Sequence, residues 1–114
     1  MDNKKDNKYY INRIIEDIEF LLKNTKGCQL ADLKSNLLLI DSIMFRLIQI
    51  SENSNKLDDS FKEKYKDIPW KFIKGIRNRI VHDYGEVDMT IIYNTITISI
   101  PKLYFQIKSI EKEL

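Results

Sequence analysis

The apolar residues of this chain are spaced for an all-α fold, an antiparallel bundle of four to five helices. Three observations point to it. Apolar positions recur every three and four residues through most of the chain, the period of one helix face. The one stretch that alternates with period two has no second strand to pair with. Proline and glycine are few, with two and three copies, and they stand between the periodic segments or near their ends more than inside them. With 114 residues, 43% of them apolar and 32% charged, residues 1–114 form a single domain around one core.

The first helix covers residues 9–23, with Ile11, Ile14, Ile15, Ile18, Leu21 and Leu22 on one face. Asn24 and Gly27 end it. A longer second helix carries Leu30, Leu33, Leu37, Ile40, Met44, Leu47 and Ser51 in a heptad. Leu38, Phe45 and Ile48 widen that stripe beyond a coiled-coil seam. So wide an apolar arc needs neighbours on two sides, which predicts a bundle that dimerises. The polar run SENSNKLDDS closes the helix.

A third helix runs from about Pro69 to Tyr84, with Gly85 just past its end. On a wheel of ~100° per residue, Phe72, Ile73, Ile76 and Ile80 form its buried face, extended by Trp70, Val81 and Tyr84. Arg77 falls inside that arc, so its guanidinium must reach a carboxylate, a phosphate or an interface. MTIIYNTITISI is β-branched and reads as a strand by propensity alone. With no partner strand, and with Asp88 placed to cap it, the segment is assigned to helix. A last helix follows through Leu103, Ile107, Ile110 and Leu114, with Pro101 at its start or at a kink.

Composition narrows the function classes. No apolar run reaches the ~18–20 residues that span a bilayer. The opening MDNKKDNKYY leads into no signal-peptide core, so a cytoplasmic protein without membrane partners is expected. The lone Cys28 cannot form an internal disulfide and reads as a structural or surface thiol. One histidine and one cysteine make no zinc cluster, and scattered glycines make no phosphate loop, so no metal or other cofactor is expected. Net charge is +2, yet Lys62 to Arg79 holds seven cations against two anions. That run is a solvated face or a surface for a polyanion.

The run ends in RNRIVHDY, Arg77 to Tyr84, which holds the only histidine. A lone imidazole that titrates near neutrality, with a fixed cation nearby, suits acid–base chemistry without a metal. Asn78 and His82 are four apart and share a face, so the amide can orient the ring. Arg77 and His82 are five apart, ~140° around the helix, and diverge. Two such helices about a two-fold axis would bring each arginine toward the other copy's histidine. The spacing therefore points to a composite site in a homodimer.

Arg77, Asn78 and His82 resemble the Arg-x4–6-His signature of HEPN-domain proteins. The addition of His82-Asp83-Tyr84 is similar to the His-x-Tyr extension of the HepT-like branch. IPWKFIKGIRNRIVHDYGEVD, LIQISEN and ISIPKL support the resemblance, which covers roughly Leu30 to Tyr104. Ser51-Glu52-Asn53 departs from the family's Gly-Glu-Ala. The resemblance implies an all-helical homodimer acting as a metal-independent endoribonuclease, the toxin of a type VII-like toxin–antitoxin pair. Its antitoxin would be a minimal nucleotidyltransferase that silences it by transferring AMP to Tyr84. Arg77, Asn78 and His82 would be catalytic, and Lys71, Lys74 and Arg79 would hold the RNA. Two alternatives stand beside this. One is a non-catalytic helical dimer that binds nucleotide or docks a nucleotidyltransferase. The other is a purely structural dimer seam in which Arg77 pairs with Glu52 across helices.

Overall fold

A computed structural model of the chain describes residues 5–83 and 86–114. Helix α1 (Asn7–Asn24) begins two residues before the predicted start, because Asp6 caps it by accepting from the Tyr9 amide at 3.0 Å. Its Ile11, Ile14, Ile18 and Leu21 are buried, as the spacing predicts. Gly27, at φ +74°, turns the chain after α1 in a conformation other residues rarely adopt.

The expected second helix is two helices. Helix α2 (Leu30–Ser35) stops at Asn36, whose extended backbone (φ −122°, ψ 90°) breaks the ladder. The Asn36 side chain then caps α3 (Leu37–Asn55) by accepting from the Leu39 amide at 3.0 Å. The heptad holds beyond the break, and the leucines next to it are exposed. Ile40, Met44, Leu47 and Ser51 are buried, while Leu37 and Leu38 face solvent at 75% and 83% exposure. The polar run does end α3, at Asn55, but its first residues are still helical, and Ser51, Asn53 and Ser54 are buried. A short helix the periodicity did not signal, α4 (Asp59–Lys64), seats Phe61 in the core.

Helix α5 (Trp70–His82) starts one residue later than expected, with Pro69 as its cap. The Trp70 indole donates to the carbonyls of Lys62 and Tyr65, at 3.2 and 3.1 Å, and ties that start to the end of α4. Ile73, Ile76 and Ile80 are buried, but Phe72 and Val81 are 46% and 45% exposed. The predicted apolar arc is too wide because α5 lies along α3 and has little contact with any other helix. Tyr84 and Gly85, expected at its end, lie outside the described residues.

The β-branched stretch is helical. It forms α6 (Met89–Asn94) and a π-helical turn, Thr95–Ser99, that runs straight into α7 (Ile100–Glu111). Asp88 caps α6 by accepting from the Thr90 amide at 2.8 Å. The π turn has a local cause in Pro101, which lacks a donor and would crowd the carbonyl four residues back. The widened turn absorbs that defect, with the Ile100 amide bonded to the Thr95 carbonyl.

No strand occurs among the described residues, and the molecule is an all-helical bundle. Helices α1 and α3 run antiparallel, since Asn7 at the start of α1 bonds Asp58 just past α3. Midway along them, Arg46 meets Asp17 at 2.8 Å. α7 packs on the other side of α1, and α2 on α6. A single isoleucine- and leucine-rich core threads these helices.

Candidate functional site

Helix α5 is continuous through His82, with Asp83 as its C-terminal cap. The ~100° step per residue therefore holds across Arg77, Asn78 and His82, and the divergence of arginine from histidine is retained. On that helix Lys71, Lys74, Asn78 and His82 fall within an arc of about 80°, all exposed. Arg79 stands on the far flank of His82, at the lip of a groove shared with α6. The five side chains thus form one basic face, with the imidazole at the C-terminal end of the helix that carries it.

Arg77 sits at the edge of this face, turned toward α3. Its Nε donates to Glu52 Oε1 at 3.0 Å and its Nη1 to Asn78 Oδ1 at 3.4 Å. The arginine placed by the wheel inside an apolar arc thus finds its carboxylate on the neighbouring helix, within one chain. Both partners remain substantially exposed, 39% and 42% at their side chains. An ion pair that wet is worth about 0–1 kcal/mol, so it orients Arg77 without locking it. Among the described residues Nη2 has no partner, which leaves a donor for a phosphate oxygen.

The Asn78 amide is engaged differently from the sequence expectation. It bonds Arg77, and among the described residues it makes no hydrogen bond to His82. Glu52 is flanked by Ser51 and Asn53, at 0% and 6% exposure. Helix packing is therefore tight where the family has smaller residues. The cost falls on the Ser51 hydroxyl, which is buried without a hydrogen-bond partner.

Other titratable groups do not join this site. Among the described residues no three His, Cys, Asp or Glu side chains gather as a metal ion would require. Cys28 is partly exposed, and burial together with the Asp32 carboxylate raises its pKa, which makes it a poor nucleophile. Arg46, which periodicity did not single out, neutralises the buried Asp17 and lies 4.0 Å from the Phe20 ring centroid. The pair joins positions 29 apart, a spacing no local pattern signals.

Comparison with known proteins assigns the scaffold. The family model described as "Ribonuclease HepT-like" matches residues 14–110. The chain belongs to the HepT-like ribonuclease family. Among HepT-like relatives, it is 35% identical over 101 residues to "Putative RNase TTE0752" of Caldanaerobacter subterraneus, covering 89% of this chain and 90% of that one. It is 34% identical over 111 residues to "Gamma-glutamylcyclotransferase and putative RNase MJ0434" of Methanocaldococcus jannaschii, covering 97% of this chain but 50% of that protein. It is 26% identical over 109 residues to "Probable ribonuclease HepT" of Thermococcus cleftensis, covering 96% of this chain and 99% of that one. No solved structure matches. No described helix of this HepT-like chain is long and apolar enough to cross a membrane.

Proposed function

We propose that this protein is a metal-independent endoribonuclease toxin whose site is built from Arg77 and His82 at the interface of a homodimer. One observation carries the reading. A helix continuous to His82 presents the only imidazole on an exposed basic face, with Arg77 half-buried beside it and one donor nitrogen unengaged. The family membership and the ribonuclease names of its relatives support it.

In this mechanism His82 takes the proton of an RNA 2′-hydroxyl as the oxygen bonds to the adjacent phosphorus. The P–O5′ bond breaks, leaving a 2′,3′-cyclic phosphate and, once the departing oxygen is protonated, a 5′-hydroxyl. Arg77 neutralises charge growing on the phosphoryl oxygens. Asn78 positions the guanidinium through Nη1, the engagement seen in the structure. Lys71, Lys74 and Arg79 hold the backbone along the face that leads to His82. Because Arg77 and His82 diverge on one helix, the second copy supplies the complementary residue. The exposed stripe of Leu38, Phe45 and Val81, beside the Arg77–Glu52 pair, is the face on which that copy docks.

The same reading includes silencing. A minimal nucleotidyltransferase antitoxin adds AMP to Tyr84, two residues past His82, and sets a phosphate against the arginine's site. Incubation with RNA in EDTA tests the reading. Cleavage should persist, ending in 2′,3′-cyclic phosphate or its hydrolysis product, and should vanish in His82→Ala. Cleavage lost on chelation, or retained in His82→Ala, overturns it. If neither parent nor variants cleave any RNA, the protein is the helical binding dimer that docks a nucleotidyltransferase.

A further inference from the structure

From Met89 to Pro101 there is no charged residue, in a chain that is 32% charged. This is not a buried segment. Ile91 and Ile98 are 37% and 65% exposed, and Phe105, further along α7, is 77% exposed. Its hydroxyls do little to wet it. Thr97 Oγ1 donates to the Tyr93 carbonyl at 2.7 Å and Thr95 Oγ1 to the Ile91 carbonyl at 2.8 Å. Each satisfies its own helix, so covering the surface strands neither of these two donors.

This surface is one wall of an open groove. Because α5 barely touches α6, the π turn or α7, a channel runs between them. Phe72 and Ile76 of α5 line its whole length, opposite Ile91 at one end and Ile98 at the other. The charges at the Ile98 end are Asp67 on the α5 side and Lys102 on the α7 side. Among the described residues neither forms an ion pair within the chain.

We propose that this face is a second self-association surface, occupied by the same face of another copy about a two-fold axis. In such a contact each residue near the axis meets its own kind, so like charges there would repel. A charge-free centre meets that condition. RNA would demand cations along both walls; the wall from Met89 to Pro101 has none, and Arg79 of α5 is the cation at the Ile91 end, outside the charge-free centre. The flanking charges agree: a two-fold places Asp67 of one copy within reach of Lys102 of the other, twice. Exposed Ile98 and Phe105 supply the apolar groups that fill the partner's groove. This face is distinct from the α3–α5 stripe that carries Arg77, and it does not rest on the ribonuclease reading. With the pairing proposed above, two self-contacts on different faces build an assembly of more than two copies.

The test uses two opposite changes at one exposed position. Ile98→Lys and Ile98→Asp are each measured by sedimentation, with circular dichroism confirming retained helicity. Each is expected to lower the assembly mass at least twofold, since either sign faces its own copy across the axis. Mixing the two variants in equal amounts is expected to restore the parent mass, because lysine then meets aspartate. A mass unchanged by either charge, or a mixture that stays dissociated, overturns the proposal. If the parent is a dimer and both variants are monomers, this contact stands and the α3–α5 pairing falls.

Discussion

Two side chains divide the proposed chemistry and its control, and their substitutions should separate. His82→Ala removes the only imidazole and should lower cleavage by about 10²–10⁴, with folding intact because the residue is exposed. Tyr84→Phe should cleave RNA at the parent rate and escape silencing by the nucleotidyltransferase, because only the hydroxyl that accepts AMP is lost. Growth arrest in cells expressing both proteins reads this out. A Tyr84→Phe variant as inactive as His82→Ala would move the hydroxyl into the catalytic site. Away from the site, Arg46→Ala should destabilise the fold by about 3 kcal/mol, read as a fall in the urea midpoint. It leaves the Asp17 carboxylate, whose side chain is 3% exposed, without its cation.

Helix boundaries were set by single polar side chains. Asn36 ends α2 and caps α3, a double role that the unbroken run of leucines concealed. Asn36→Ala should cost about 1 kcal/mol in a urea titration, since the Leu39 amide loses its acceptor. An unchanged midpoint would mean that the break is imposed by packing of Leu33 and Ile40 alone. The β-branched segment teaches the reverse lesson. Its strand propensity is real, but helix won because no partner strand exists among the described residues and Asp88 supplies the cap. Pro101 then accounts for the π turn, a detail visible in sequence only as a proline near a helix start.

At the scale of the molecule, assembly and activity should be coupled. Val81→Lys places a cation on the exposed stripe beside Arg77, at a position 45% exposed where the monomer fold tolerates it. Sedimentation should show weaker association and an RNA assay a parallel loss of cleavage. Full activity in a dissociated Val81→Lys protein would show that one chain holds the whole site.

The helical class, the buried positions of α1, the core face Ile73–Ile76–Ile80 and the Arg-x4-His spacing are all carried by local pattern. Helical period and residue chemistry act within a few residues, so a single sequence displays them. The family could be named from the same residues. Which apolar side chains are covered could not be read this way. Phe72, Val81, Leu37 and Phe45 have the periodicity of core and stand at the surface, because burial depends on which helices come to lie alongside. The partners of Asp17 and the placement of the Asn78 amide were likewise decided by tertiary structure. Arg77 shows both halves. Its position within an apolar arc required a carboxylate or a phosphate, and the sequence already offered Glu52 as one candidate. The packing of α3 against α5 decided that the pair forms within one chain, and left it wet enough to yield to a phosphate.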